Sequence, residues 1–287
     1  MWPEDFADED LRLPVDLPAS RRANTVLSTR EVTVTLGKEA TRALIRDVPA
    51  AFGTRINDVL LTALGRACEE WTGRSVLLLD LESHGRNIDG LDLSRTVGWF
   101  TAVYPVLLDL RGAREPTAAL AAVREQLDRV PGDGLGYGLL RYLGSRKAVR
   151  SLRALPAADL SFNYHGQVDQ TMEAASLLSP AAEAPGPSRS PLDWRPHLLE
   201  VVGIVSGGDL QLALGYSENL YRRQTIEALG RGVIGALCEL ITAASGGAGL
   251  PLPALPQGGF DRSLGAVAFA AAEGEAVEEA EPLAPSP

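Results

Sequence analysis

Hydrophobic and polar positions along this chain fall into an order of strands and helices before any single residue draws notice. Residues 30–36 (REVTVTL) alternate polar and β-branched side chains, which predicts a half-buried strand. Residues 38–48 then bring Leu44, Ile45 and Val48 to one side of a short helix. Residues 57–71 carry the clearest helical stripe, made of Leu60, Leu61, Leu64, Ala67, Cys68 and Trp71. Asn57 stands where a cap belongs, Asp58 lies in the first turn, and Gly73 ends the helix. Residues 76–81 and 103–110 are short apolar runs that predict two strands. Strand, helix, helix, strand is the grammar of a layered α/β domain.

Further on, residues 115–127 predict a helix with Pro116 at its first position and Leu120, Val123 and Leu127 on one side. Residues 130–143 (VPGDGLGYGLLRYL) read as a glycine-rich turn opening a short helix at 137–143. These glycines lack the strand-to-helix setting of a phosphate loop, so a nucleotide site is discounted. Residues 159–168 predict a strand, and 172–193 a long Ala/Pro/Ser-rich loop. Residues 197–205 and 210–216 flank Ser206-Gly207-Gly208-Asp209, a hairpin signal. A long amphipathic helix is predicted over 221–241. The expected division is an extended lead-in at 1–29, one folded lobe at 30–245, and a disordered, acidic, Pro/Ala-rich tail at 246–287.

The formal net charge of −10 excludes little about fold but much about partners. Binding to nucleic acid needs a basic face, and none is evident in the sequence. No apolar run approaches a membrane span, and the first residues are acidic where a signal peptide is basic and then apolar. Cys68 and Cys238 each sit in a predicted helix among apolar neighbours, which favours free buried thiols over a disulfide or metal pair. The chain reads as cytoplasmic, with no metal, no nucleic acid and no membrane.

Chemistry concentrates between the strands of residues 76–110. Glu82, His84 and Arg86 stand at i, i+2 and i+4, so a strand running through them would project all three from one face. A carboxylate, an imidazole and a guanidinium on one face suggest a site; solvated charges at a strand end are the plainer alternative.

Five stretches carry a resemblance that periodicity does not supply. They are INDVLLTAL (56–64), LESHGR (81–86), DLSRTVGWFTAVYPV (92–106), VPGDGLGYGLLRYL (130–143) and SFNYHGQVD (161–169). In order and spacing they resemble the motifs of the epimerization domain of non-ribosomal peptide synthetases, a branch of the condensation-domain superfamily, over about residues 10–244. The resemblance implies an α/β fold: one chloramphenicol-acetyltransferase-like lobe, a two-layer α+β sandwich with helices packed on a central mixed sheet. It implies inversion of Cα in an aminoacyl or peptidyl thioester, with the substrate presented on the phosphopantetheine of a peptidyl carrier protein and no cofactor bound by this chain. Glu82 matches a proposed acid/base glutamate, Arg86 the arginine of the same motif, and Asn163 and Tyr164 the polar pair of the F-N-Y motif. His84, Ser94, Arg95, Gly98, Trp99 and Tyr137 fall in motifs expected along the substrate tunnel.

This chain also departs from the family pattern. The family's catalytic histidine belongs to an H-H-x-x-x-D motif in an N-terminal lobe, and His84, His165 and His197 here are not adjacent to one another. Ser83 replaces a glycine, Asn87 a glutamate, and His165 an apolar residue. The resemblance therefore covers a C-terminal lobe only, expected to be inactive alone and to work with a second polypeptide carrying the other lobe, or to self-associate. A non-catalytic carrier-docking or scaffold lobe and an amide-forming condensation-type fragment are the alternatives. His84 or His165 acting as a substitute base is disfavoured, because inversion needs groups on opposite walls; His165 and His197 are expected to be hydrogen-bonded strand residues.

Overall fold

The computed structural model describes residues 11–86, 88, 90–167, 186 and 189–246. Most of the loop expected over 172–193 and all of the tail expected over 246–287 except residue 246 lie outside the described residues, as does Asn87. Six strands form one mixed sheet: β1 (Thr29–Leu36), β2 (Val76–Ser83), β3 (Ala102–Asp109), β4 (Leu160–Gln167), β5 (Leu199–Ser206) and β6 (Asp209–Ser217). They lie in the order β1-β6-β5-β4-β2-β3. β4 runs parallel to both β2 and β5, and the remaining pairings are antiparallel.

Helices α1 (Lys38–Phe52), α2 (Ile56–Thr72), α3 (Pro116–Asp128) and the last helix, α6 (Arg223–Ala244), pack on one face of that sheet. The period-two pattern decides which strand residues meet them. Val32, Val34 and Leu36 of β1, Leu77, Leu79 and Leu81 of β2, and Leu160 and Phe162 of β4 share one buried core with Leu60, Leu61 and Leu64 of α2 and Leu237 and Ile241 of α6. Alternate residues of the same strands, including Asp80, Glu82, Ser161, Asn163 and Glu200, face away from the helices. The expected two-layer α/β sandwich is the observed one.

Several local expectations are corrected. Helix α1 continues past Pro49 to Phe52, and Gly53 (φ 64) ends it with its N–H bonded to the Pro49 carbonyl. Burial of Leu44 and Val48 holds the last turn in place despite the missing proline donor. Asn57 is not the cap of α2: Arg55 is, and its N–H donates to Asp58 Oδ2 at 2.7 Å. The glycine-rich stretch folds into a 3-10 turn (Pro131–Gly134), α4 (Leu135–Gly138) and a π turn (Leu139–Leu143). It leads into α5 (Arg146–Arg153), which the sequence pattern did not reveal. Gly134 (φ 80) is required there, since a Cβ would lie 1.9 Å from the Tyr104 ring.

The described part of the lead-in, from residue 11, packs against the lobe. Leu13 reaches the core. Buried Asp159, just before β4, accepts from the Leu13 N–H at 2.9 Å and from both guanidinium ends of Arg21 at 2.5 and 2.7 Å. Asp159→Ala should cost about 1–3 kcal/mol, less than breaking a fully buried pair, because Arg21 is 40% exposed. Urea unfolding and limited proteolysis check this, with cleavage expected first within residues 11–23.

Candidate active site

β2 ends at Ser83, so the single strand face expected for Glu82, His84 and Arg86 does not exist. Gly85 (φ 62) turns the chain, and a Cβ there would sit 1.6 Å from the Phe100 carbonyl oxygen. Glu82 alone stays with the sheet. Parallel pairing sets Leu81 beside Phe162, which brings the next residues, Glu82 and Asn163, side by side on the face away from the helices. Asn163 Nδ2 donates to Glu82 Oε2 at 2.6 Å.

These residues form one wall of a cavity of about 630 Å³ at the carboxyl ends of β2 and β4, the customary ligand position in a parallel sheet. Tyr164, His165, His84 and Trp99 also line it, and the start of α2 (Arg55–Asp58), Tyr104 and Asp133 close the far side. Burial is the main cause of the upward shift of the Glu82 carboxyl, opposed by His197 and reinforced by Glu200 and Asp80. His197 lies across the sheet face with its Nε2 2.8 Å from Asp80 Oδ2. Ser161 is the β4 residue between Asp80 and Glu200, and its small side chain leaves room for this span. Burial raises the Tyr164 hydroxyl and lowers the His165 imidazole, so both are neutral near pH 7.

The remaining sequence candidates scatter. Arg86 is absent from the cavity lining; its guanidinium donates to the carbonyls of Leu93 (2.9 Å), Thr96 (2.8 Å) and Gly98 (3.1 Å) and stacks 4.4 Å from the Phe100 ring centroid. It shapes the loop that carries Trp99 to the cavity. Ser94 and Arg95 are exposed on that loop, outside the lining, and Gly98 contributes its carbonyl to Arg86. Tyr137 is half-buried two residues beyond cavity-lining Leu135 and outside the lining, with burial raising its hydroxyl. His84 is exposed, its Nδ1 accepting from the Arg86 N–H at 3.1 Å.

His165 is not the satisfied strand residue expected, since among the described residues its buried Nε2 finds no hydrogen-bond partner. His197 does hydrogen-bond, but to Asp80 two strands away rather than at a strand edge. Sequence reasoning missed Asn57 as a cavity residue, having read it as a cap; its Oδ1 is also buried and, among the described residues, unpartnered. It missed the His197–Asp80 pair as well, for which the acid ending an apolar run was the single signal.

A family model described as Condensation domain matches residues 2–247. Among curated relatives, a linear gramicidin synthase of Brevibacillus parabrevis is 43% identical over 85% of the chain, and Chondramide synthase cmdD of Chondromyces crocatus is 48% identical over 76%. The chain spans 3% and 5% of those two proteins. Among solved structures, the epimerization domain from the third module of tyrocidine synthetase B superposes with a TM-score of 0.75 at 30% identity. The match covers 84% of this chain and 54% of that one. The X-domain from teicoplanin biosynthesis, at 17% identity and a TM-score of 0.57, shares the fold.

Because the fold raises the Glu82 pKa above 4.5, the folded state favours the protonated carboxyl. Its contribution to stability is therefore full below the ordinary carboxyl range and is lost as pH rises through the folded value. Glu82→Gln, which removes the charge and keeps the shape, should melt higher than the parent at about pH 8, with the difference closing toward about pH 4. Thermal melts at the two pH values check it, and a variant that melts lower at the higher pH contradicts it.

Proposed function

The chain belongs to the condensation domain family, and from that premise we propose that it is the C-terminal half of an epimerization-type member, acting on an aminoacyl or peptidyl thioester held by a peptidyl carrier protein. The observation that carries this reading is Glu82: a carboxyl pushed upward by burial, oriented by Asn163 at 2.6 Å, on the wall of a cavity at the ends of parallel strands. The resemblance to a solved epimerization domain at 30% identity supports it.

Inversion at Cα breaks the Cα–H bond on one face, leaves the electron pair on the thioester carbonyl as an enolate, and returns a proton to the other face. A carboxyl raised toward neutrality serves as acceptor or donor in such a step, because catalytic acids and bases work best near the operating pH. Glu82 supplies one face. Tyr164, kept protonated by its surroundings, is a hydroxyl donor at the cavity for the developing enolate oxygen. Asn163 positions Glu82, and Arg86 acts through the loop it holds. The group for the opposite face is assigned to a histidine-bearing lobe outside this sequence, on a second polypeptide or a further segment. The site is assigned to the cytoplasm, where Cys68, its thiol pushed up to about 12 by burial, stays reduced and inert.

The test combines the chain, a histidine-bearing N-terminal lobe and a loaded carrier, and follows exchange of the α-proton into solvent deuterium. Glu82→Gln should lower the exchange rate by about 10²–10⁴-fold, the usual contribution of a general acid or base. No exchange above background in the parent overturns the catalytic reading; carrier binding without exchange would leave a docking lobe.

A further inference from the structure

The sheet face turned away from α1, α2, α3 and α6 carries a row of charge beside Glu82. Register sets Asp80 of β2, Ser161 of β4 and Glu200 of β5 side by side, and Glu82 stands two residues beyond Asp80 on the same face. Arg195 and His197, from the segment leading into β5, meet these carboxyls. Arg195, 4% exposed, is engaged at the far end: its guanidinium lies 3.1 Å from Glu200 and donates to Asn24 Oδ1 at 3.3 Å. His197 is held at both ends. Its carbonyl accepts from Nδ2 of buried Asn24 at 2.8 Å, and its Nε2 lies 2.8 Å from Asp80 Oδ2. Among the described residues no Lys or Arg pairs with Asp80 or Glu82. Backbone bonds already tie this segment down, since the N–H groups of Leu198 and Leu199 both donate to the Asp159 carbonyl, at 2.8 and 3.0 Å. The imidazole adds a charge, conditional on a proton, at the edge of a carboxyl cluster. Its reach extends to Glu82, whose carboxyl is raised by burial, lowered by His197, and raised again by Glu200 and Asp80.

We propose that His197, clamped by Asp80, is a positioning residue for the reaction: its protonated ring is the cation that lets Glu82 release its proton and stand ready as a base. This deepens, and rests on, the function proposed above. His197 is absent from the cavity lining, so it acts through the field at Glu82 and not by touching substrate. The other ionisable groups around Glu82 do not replace it. On the cavity side, Arg55 is divided among Asp58, Asp128 and Asp133. Burial keeps the His165 ring neutral and the Tyr104 and Tyr164 hydroxyls protonated, and His84 is exposed. From α4, the Tyr137 hydroxyl is raised by burial and by Asp80, with Arg141 opposing. A protonated His197 favours the carboxylate form of Glu82, and this help ends once pH rises past the point where the imidazole loses its proton. The assistance therefore acts where it is needed, at pH values at which burial would otherwise keep Glu82 protonated.

The experiment follows the Glu82 carboxyl carbon by NMR in the full chain enriched with carbon-13 glutamate, the signal being identified by its loss in Glu82→Gln. The readout needs neither carrier nor second lobe. In His197→Gln the Glu82 ionisation midpoint should rise by about half a unit or more, and His197→Lys, which returns a cation, should restore most of the change. The parent alone supplies a measurement that survives a variant failing to fold: its Glu82 signal should show a second, smaller step at the pH where the His197 ring titrates. With a histidine-bearing lobe and a loaded carrier added, the rising limb of α-proton exchange should move to higher pH in His197→Gln, while the plateau above it stays within about twofold of the parent. A purely bracing role would instead lower the plateau and leave the limb in place. An unmoved midpoint in His197→Gln, no rescue by His197→Lys, or no step in the parent each overturns the inference, even with exchange intact. A displaced midpoint in a parent that shows no exchange removes the catalytic reading, and with it the part of His197 in the reaction.

Discussion

Three residue pairs join the two parts of the sheet: Leu79 with Leu160, Asp80 with Ser161 and Leu81 with Phe162. On the helix face this pairing buries Leu79, Leu81, Leu160 and Phe162, each 4% exposed or less. On the other face it sets Glu82 beside Asn163. A slip of one residue would turn Glu82 into the core and Leu81 out of it, because side chains alternate with period two. The Asn163–Glu82 hydrogen bond at 2.6 Å can form only in this register. The polar site inherits its register from apolar side chains, of which only Leu81 also lines the cavity.

That arrangement places a carboxylate where burial works against its charge. Asp80 and Glu200 add like-sign repulsion, and His197 is the group on that face that opposes the trend. The His197–Asp80 contact at 2.8 Å spans β4 and thus stitches β5's lead-in to β2. One pair therefore both braces the sheet and tempers the field at Glu82. A carboxyl shifted in this way on the wall of a cavity marks a candidate functional group.

How legible all this was in the sequence depends on the range of the signal. Period-two and helical stripes are local, so β1, α2, β2 and the closing hairpin could be read from residues such as Val32, Val34 and Leu64. The order of strands is not local: nothing near Glu82 announces that Asn163, eighty-one positions away, is its partner. The motif resemblance brought Glu82, Asn163 and Tyr164 together. The same motifs also put Arg86 and Ser94 among site residues, although one is spent on loop carbonyls and the other faces solvent. Asn57 was misread because an asparagine before an apolar stripe looks like a cap, and Arg55 had already taken that place through Asp58. Helix α5 escaped notice because a short basic run with few apolar residues has no core-facing stripe to detect.

The loop held by Arg86 has a consequence for kinetics. The carbonyls of Leu93, Thr96 and Gly98 all converge on the one guanidinium of Arg86. The placement of Trp99 at the rim thus hangs on a single side chain that does not itself line the cavity. Replacing Arg86 would therefore alter entry to the cavity, whereas replacing Glu82 or Asn163 would alter the wall behind it.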